Sequence, residues 1–435
     1  MIPKVLMLGW EYPPFLNGGL GVASSELARA LAPFAQLSLI LPKSKPKEEK
    51  QIELIGLSDL NLPKLWKETD PISAFHLKEA KVAWVEVALS GYEVLPQSVS
   101  PPTPHPGSLW IEHPQPRNVP PVRKYLKEPS LYGHDLYQRI LDYTRISARK
   151  AQQMDFEVIH AHDWMTFLAG LLIREQSGKP LFVHAHSLSH DRTGPDIRDW
   201  AYQVEAHAFK EADYIVTVSE YSANILSQTY DIPLEKIQVL YHGSPSLEAQ
   251  RLAPPFPEQL VSFVGRFTRQ KDPLTFIDVG LKLLEKYDRL RFIMAGKGDL
   301  RPQMIEKINR ARVGDRFHLA GFLGQKDLEK LLQMSTVVVM PSASEPFGLV
   351  AIEAAQTGTP VVISTHSGAR EVLPHALTAA PGNVEDFAEK VGALLSYPAL
   401  RTEISQGLQE DVSKLSWEAS ALDLVKRWRE ASLHP

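Results

Sequence analysis

The sequence predicts an α/β protein built from two doubly wound, mostly parallel sheets in tandem, and three observations carry that prediction. From Leu131 to Leu240, short apolar runs alternate with segments of helical periodicity. The same alternation restarts at Leu260 and continues to the stretch Met340 to Thr365. Between the two series, Gly243 to Glu258, GSPSLEAQRLAPPFPE, is rich in proline and polar residues and reads as an interdomain linker. The expected organisation is a domain over 1–242, a linker over 243–258, a second domain over 259–415, and a closing helix over 416–435 packed back on the first domain.

Taken in order, Val5 to Gly9 reads as the first strand, and the glycine-rich Glu11 to Gly21 leads into a helix with apolar residues at Leu20, Ala23, Leu27, Leu31 and Phe34. Leu37 to Leu41 is the second strand, with further strands near Ile52 to Leu57 and Val82 to Leu89. Between Pro96 and Pro121 proline is too dense for a helix or a central strand, so this is an extended insertion or lid. A long amphipathic helix is predicted from Leu131 to Met154. Strands at Val158 to His162, Leu181 to His186, Tyr214 to Ser219 and Ile237 to Leu240 then enclose helices at Met165 to Gln176, Trp200 to Ala212 and Tyr221 to Tyr230.

In the second series, strand Leu260 to Gly265 is followed by a helix from Pro273, where Asp272 supplies a cap acceptor and proline suits the first turn. Strand Leu290 to Gly296, helix Leu300 to Arg312, strand Phe317 to Gly321 and helix Lys326 to Met334 follow. The stretch MPSASEPFGLVAIEAAQTGTPVVIST ends one buried strand, opens a helix near Phe347, stops it at Gly358 and starts another strand at Pro360. Glu345 therefore lies in the turn at a helix N-terminus and Glu353 two turns in, while Gly348 lets a ligand approach the first amides. Such an end carries unpaired N–H groups and positive dipole, which suits phosphate.

With 435 residues, 44% hydrophobic and 23% charged, the chain has the balance of a soluble protein too long for one core. Lys plus Arg is 47 against 51 for Asp plus Glu, a net charge of -4, which offers no support for a nucleic-acid partner or an anionic membrane. The absence of cysteine excludes disulfides, thiolate metal sites and thiol catalysis. No run approaches transmembrane length and MIPKVLMLGWEYPP lacks the features of a signal peptide, so a cytoplasmic protein is expected.

Four groups of residues carry chemistry. Gly18 and Gly19, with Gly21, follow the first strand; they do not match G-x-G-x-x-G, so they fit either a tight turn or a phosphate-cradling loop without dinucleotide binding. His160 and His162 end one strand, with Asp163 next, and His184 and His186 end another. Residues two apart on a strand share a face, so the pairs offer imidazoles to one another or to a metal, but no nearby pattern completes a metal site and none is expected. Asp163 and His186, each last before a loop, are the functional candidates. Arg266 and Lys271, in GRFTRQKDP, follow the first strand of the second domain and share a sheet edge with the Glu345 turn. Two cations and a helix N-terminus stabilise a diphosphate leaving group without a metal, each charge-assisted contact contributing about 1.5 to 3 kcal/mol. No D-x-D motif for a metal-bound nucleotide is present in the sequence.

GWEYPPFLNGGLGVASSELARAL, HAHDW, HAHSLSHDRTG, VTVSEYS, GRFTRQKD, AGKGD and EPFGLVAIE occur in the order and spacing of retaining glycosyltransferases of the GT-B fold, and the chain resembles their glycogen and starch synthase branch. The resemblance covers nearly the whole chain apart from the Pro-rich insertion. It implies two Rossmann-like domains facing a cleft, with a nucleotide-sugar donor and a carbohydrate acceptor as partners and no cofactor. Arg266, Lys271 and the amides of Gly348 and Leu349 would hold the diphosphate, with Phe347 also among the donor-binding residues, Glu353 would hold the ribose, and Glu345 the transferred sugar. His186 and Asp163 would approach the sugar from the first domain. The Gly18-Gly19 loop would close over the phosphates, and Gly296, Lys297 and Gly298 would lie near the nucleoside.

One position departs from the pattern. Leu16 stands where the synthases carry the lysine of Lys-x-Gly-Gly, and HSLSHDRTG, with Asp191 and Arg192, looks more like a related group of uncharacterised transferases. The expected activity is metal-independent, retaining transfer of a hexose, glucose foremost, to a carbohydrate hydroxyl. The alternatives are a sucrose-phosphate-synthase-like or cell-surface glycan transferase, an epimerase of the same fold, and a non-catalytic carbohydrate-binding module.

Overall fold

The computed structural model describes residues 2–16, 18–45, 51–70, 76–77, 109–110, 131–133, 135–244 and 250–433. The expected strand Val82 to Leu89 lies outside them, as does the Pro-rich stretch 96–121 apart from Leu109–Trp110. Strands in the first part of the chain are β1 (Lys4–Leu8), β2 (Gln36–Leu41), β3 (Ile52–Gly56), β4 (His76–Leu77), β5 (Leu109–Trp110), β6 (Val158–His162), β7 (Leu181–Ala185), β8 (Tyr214–Thr217) and β9 (Ile237–Val239). Those in the second part are β10 (Gln259–Val264), β11 (Leu290–Ala295), β12 (Phe317–Gly321), β13 (Val337–Met340), β14 (Val361–Ser364) and β15 (Leu377–Ala379).

Two parallel sheets result, with strand orders β3-β2-β1-β6-β7-β8-β9 and β12-β11-β10-β13-β14-β15, beside a small antiparallel β4-β5 pair. Helices cover both faces of each sheet, so central strands are buried throughout, as in Val158–His162 and Val337–Met340. This is why Val337–Met340 reads as a continuous apolar run and Val158–His162 is apolar apart from its two histidines. In each sheet the chain winds outward in one direction and then returns to wind in the other. The order reverses between β1 and β6 in the first sheet and between β10 and β13 in the second. In open α/β sheets that reversal leaves a crevice beyond the strand ends, where ligands bind.

Two helices start later than their sequence patterns suggest. The long helix runs Leu136–Ala151, beginning after Gly133. The helix after β13 runs Leu349–Gln356, because Gly348 holds φ 105° and breaks the turn before it. Helices Leu62–Glu68, Val384–Ser396 and Pro398–Ser413 and strand β15 are further elements. The last helix, Trp417–Leu433, packs on the first sheet, where Ala421, Leu424, Val425, Trp428 and Ala431 share a core with Val5, Met7, Leu27, Leu31, Phe182 and Val216. Among the described residues no helix is long and apolar enough to cross a membrane.

Candidate active site

Both reversal points carry the residues singled out in the sequence. At the first, the Gly18-Gly19 segment follows β1 and Asp163 follows β6. At the second, Arg266 and Lys271 follow β10, and the Glu345 turn follows β13.

Asp163 is buried and stands at φ 59°, a left-handed conformation for a residue with a side chain, at the cap of helix Trp164–Ser177. Its Oδ1 accepts from the backbone N–H groups of His186 at 2.7 Å and Ser187 at 3.2 Å. Burial pushes its carboxyl up to about 7, against the opposing pull of the Arg192 charge and those two backbone donors. His186 is thereby tied to Asp163 through its backbone, while its ring Nε2 lies 2.9 Å from His162 Nδ1. Burial holds His186 well below the usual imidazole range, so it is neutral at physiological pH.

Within the second domain, Lys271 Nζ donates to Glu345 Oε2 at 2.5 Å, with both side chains largely buried. Ser342 Oγ reaches the same carboxylate oxygen at 3.3 Å. Arg266 Nη2 donates to Gln270 Oε1 at 2.9 Å, and the Gln270 carbonyl accepts from Ala343 N, so the turns after β10 and β13 are joined. Glu345 is also gripped through its backbone: its N–H bonds the His366 carbonyl, and its carbonyl accepts from Gly368. Phe347 is buried; Gly348 and Leu349 then open the helix, leaving its first N–H groups without intrahelical partners.

Glu353 is buried a turn further in, and Gln325 Nε2 donates to it at 3.3 Å. Burial raises its carboxyl to about 7. Gly296 and Gly298 are glycines for a steric reason. A Cβ would sit 1.9 Å from the Gly265 carbonyl oxygen at Gly296, and 2.3 Å from that of Phe267 at Gly298. The two turns thus pack backbone to backbone, and exposed Lys297 joins them through its carbonyl, which accepts from Phe267 N. An open cavity of about 570 Å³, lined by Gly298, Asp299, Arg301, Pro302, Ile305 and Glu306, adjoins this turn. Gly18 and Gly19 are exposed, and a Cβ on Gly19 would lie 3.6 Å from Leu349, so the first-domain loop reaches the second-domain helix start.

Several residues that single out the site in three dimensions carry little signal in sequence. Ser344 Oγ bonds Asp191, and Tyr221 OH pairs with Ser344 at 2.9 Å. Ser219 Oγ donates to the Pro346 carbonyl at 2.6 Å, and the Glu371 carboxylate accepts from the N–H groups of Glu220 and Tyr221 at 2.8 Å. First-domain elements therefore hold the Glu345 turn from outside. Glu205, wholly buried, accepts from Ser189 N, Tyr230 OH and Arg192. Ser189, Asp191 and Arg192 stand in HSLSHDRTG, and Ser219, Glu220 and Tyr221 in VTVSEYS, but neither motif announces these partners. His160, His162 and His184 each place one ring nitrogen within 4.8 Å of the others, the described group that could hold a metal ion.

Comparison with known proteins assigns both halves. Residues 248–411 match the model described as glycosyl transferases group 1, and residues 91–244 match glycosyltransferase family 4. The chain is 28% identical to an uncharacterised glycosyltransferase of Methanocaldococcus jannaschii, covering 98% of each protein. It is 24% identical to a glycogen synthase of Mycobacterium tuberculosis, covering 96% of this chain and 92% of that one. Sucrose-phosphate synthase from Thermosynechococcus elongatus superposes with a TM-score of 0.71 over the full length of both chains at 18% identity, a likeness of fold. With one glycosyltransferase model over most of its first domain, another over its second, and two parallel α/β sheets in tandem, the chain belongs to the glycosyltransferases of the GT-B fold.

Proposed function

We propose that the protein is a retaining, metal-independent hexosyltransferase that moves a sugar, glucose foremost, from a nucleotide diphosphate to a carbohydrate hydroxyl in the cytoplasm. The observation that carries this reading is the Lys271–Glu345 pair, 2.5 Å apart and shielded from water, set between the Arg266 turn and the start of helix Leu349–Gln356. A diphosphate lying there meets two cations and a helix N-terminus. As the bond from the anomeric carbon to the diphosphate breaks, its electron pair moves to the departing phosphate oxygen. Arg266, Lys271 and the Gly348 and Leu349 amides stabilise that charge. Glu345 holds the sugar, Glu353 the ribose hydroxyls, and Gly296 to Gly298 border the nucleoside. Asp163 and neutral His186 face the sugar from the first domain, and the acceptor oxygen attacks on the face the diphosphate leaves, its proton passing to the departing phosphate.

A panel of nucleotide sugars and carbohydrate acceptors, read by released nucleotide in the presence of a chelator, tests this. Turnover with one donor, with the product anomer matching the donor by NMR, is the expected result. Activity lost to the chelator and restored by a divalent ion overturns metal independence. A sugar phosphate as sole acceptor indicates a sucrose-phosphate-synthase-like enzyme. Glycan binding without turnover of any donor indicates a carbohydrate-binding module.

A further inference from the structure

One side chain of the first domain spans the turn that carries Glu345. VTVSEYS ends β8 and opens helix Glu220–Tyr230, capped by Ser219, whose Oγ accepts from Ser222 N at 3.0 Å. The first N–H groups of a helix lack intrahelical partners, and here the Glu371 carboxylate of the second domain takes two of them. Its Oε2 accepts from Glu220 N and its Oε1 from Tyr221 N, each at 2.8 Å. The start of this helix is therefore fixed to the second domain, with Tyr221 at the boundary.

The Tyr221 side chain then touches both loops that build the Glu345 turn. Its hydroxyl pairs at 2.9 Å with the Oγ of Ser344, the residue before Glu345. Its ring lies on the His366 imidazole, with centroids 5.9 Å apart and planes 27° from parallel. His366 in turn grips the same turn at two points. Its carbonyl accepts from Glu345 N at 2.9 Å, and its Nδ1 lies 3.2 Å from the Ala343 carbonyl oxygen, which only accepts, so Nδ1 is the donor. Burial pushes the Tyr221 phenol up to about 12, so it remains a neutral hydroxyl at physiological pH. At Gly368, whose N–H bonds the Glu345 carbonyl, a Cβ would lie 2.2 Å from the Pro346 carbonyl oxygen and 2.6 Å from Ser219 Cβ, so the domains meet here without a gap. The contacts of the nucleotide side run differently: Lys271 to Glu345, Arg266 to Gln270 and Gln325 to Glu353 all lie within the second domain.

We infer that Tyr221 is a positioning residue: by bridging Ser344 and His366 it sets the Glu345 turn for the transferred sugar, and it acts on sugar transfer rather than on affinity for the nucleotide. This rests on the reading of Glu345 as the group that holds the sugar.

Tyr221→Phe removes the hydroxyl and keeps the ring. With the donor that the wild type uses, kcat should fall about fivefold, the measure of one hydrogen bond. The dissociation constant of UDP or ADP, whichever that donor releases, should be unchanged by calorimetry. In a Ser344→Ala background the same substitution should cost nothing further, because the hydroxyl has lost its partner. Tyr221→Ala, which also takes the ring from His366, should lower kcat further, again at unchanged nucleotide affinity; where that variant does not fold, Tyr221→Phe and the pairing with Ser344→Ala decide. Wild-type kcat in Tyr221→Phe, additive losses with Ser344→Ala, or equal losses in kcat and nucleotide affinity each overturn the inference while the proposed function stands. A wild type that neither binds nor turns over any nucleotide sugar defeats the proposed function and this inference together.

Discussion

Lys271 is the side chain on which the proposed chemistry leans hardest. Its cation is held by Glu345 at 2.5 Å, so it is in place before any phosphate arrives. Lys271→Ala should lower turnover by at least about tenfold, because it removes charge stabilisation that grows as the leaving group departs; steady-state kinetics indistinguishable from wild type would remove the phosphate assignment. Asp163 makes a different prediction. Its folded carboxyl is raised from 3.8 to about 7 by burial, so between those values the folded state binds more protons than the unfolded one. Stability is therefore greatest at low pH on this account and falls as pH rises towards the folded value. Asp163→Asn keeps the oxygen that accepts from His186 and Ser187 but removes the titration. Its stability to chemical denaturation should fall less steeply with pH than that of wild type across this range, with a difference near neutrality of about 4 kcal/mol; parallel curves would exclude the buried carboxyl as the source.

Single elements turn these residues into a site. The helix after β13 begins at Leu349 because Gly348 adopts φ 105°, which sends the chain from the Glu345 turn into the first helical turn with its amides facing outward. A Cβ there would lie 3.3 Å from both Ala369 Cβ and Glu345 Cγ, in a backbone conformation L residues rarely take. Gly348→Ala should cost about 1 to 3 kcal/mol of stability and raise the donor KM, as read by chemical denaturation and initial rates; a variant with wild-type stability and KM would show that the turn does not depend on this glycine. The Glu345–Lys271 pair has a similar origin. Strand-turn-helix patterning places each residue at a sheet edge, but their contact needs β10 and β13 to be neighbours, although 72 residues of sequence separate Val264 and Val337 only loosely in pattern. Hydrophobic periodicity reports which face a residue takes and says nothing about which strand lies beside it.

At the scale of the molecule, the last helix fills a gap in the first domain that residues 1–242 leave open. Trp428, fully buried, completes the core around Val5, Leu27 and Phe182. Deleting residues 416–435 exposes that core, so the truncated chain should lose cooperative unfolding of its first domain and bind a hydrophobic dye at temperatures where the full chain does not; a truncated protein with an unchanged melting transition would contradict this. Cross-domain bonds from Ser219 to Pro346 and from Glu220 and Tyr221 to Glu371 hold the Glu345 turn against the first domain.

The α/β class and its strand-helix alternation are legible in sequence because parallel strands buried on both faces are mostly apolar, as VVVM is throughout and VIHAH is apart from its two histidines. Capping and turn chemistry likewise mark Asp272-Pro273 and Gly358. The histidines at the ends of β6 and β7 are visible as pairs, and their shared face follows from the period of two. What the sequence does not contain is the order of strands, the reversal points between β1 and β6 and between β10 and β13, and the partner of each polar group. Asp191 meets Ser344 and His160 meets Trp428 across separations of 153 and 268 residues, and neither pairing has a local signature. Local composition determined the elements, because backbone geometry and burial act over a few residues. The tertiary structure decided the site, because a hydrogen bond or an ion pair is selected by proximity in space, which only the packing of the whole chain sets.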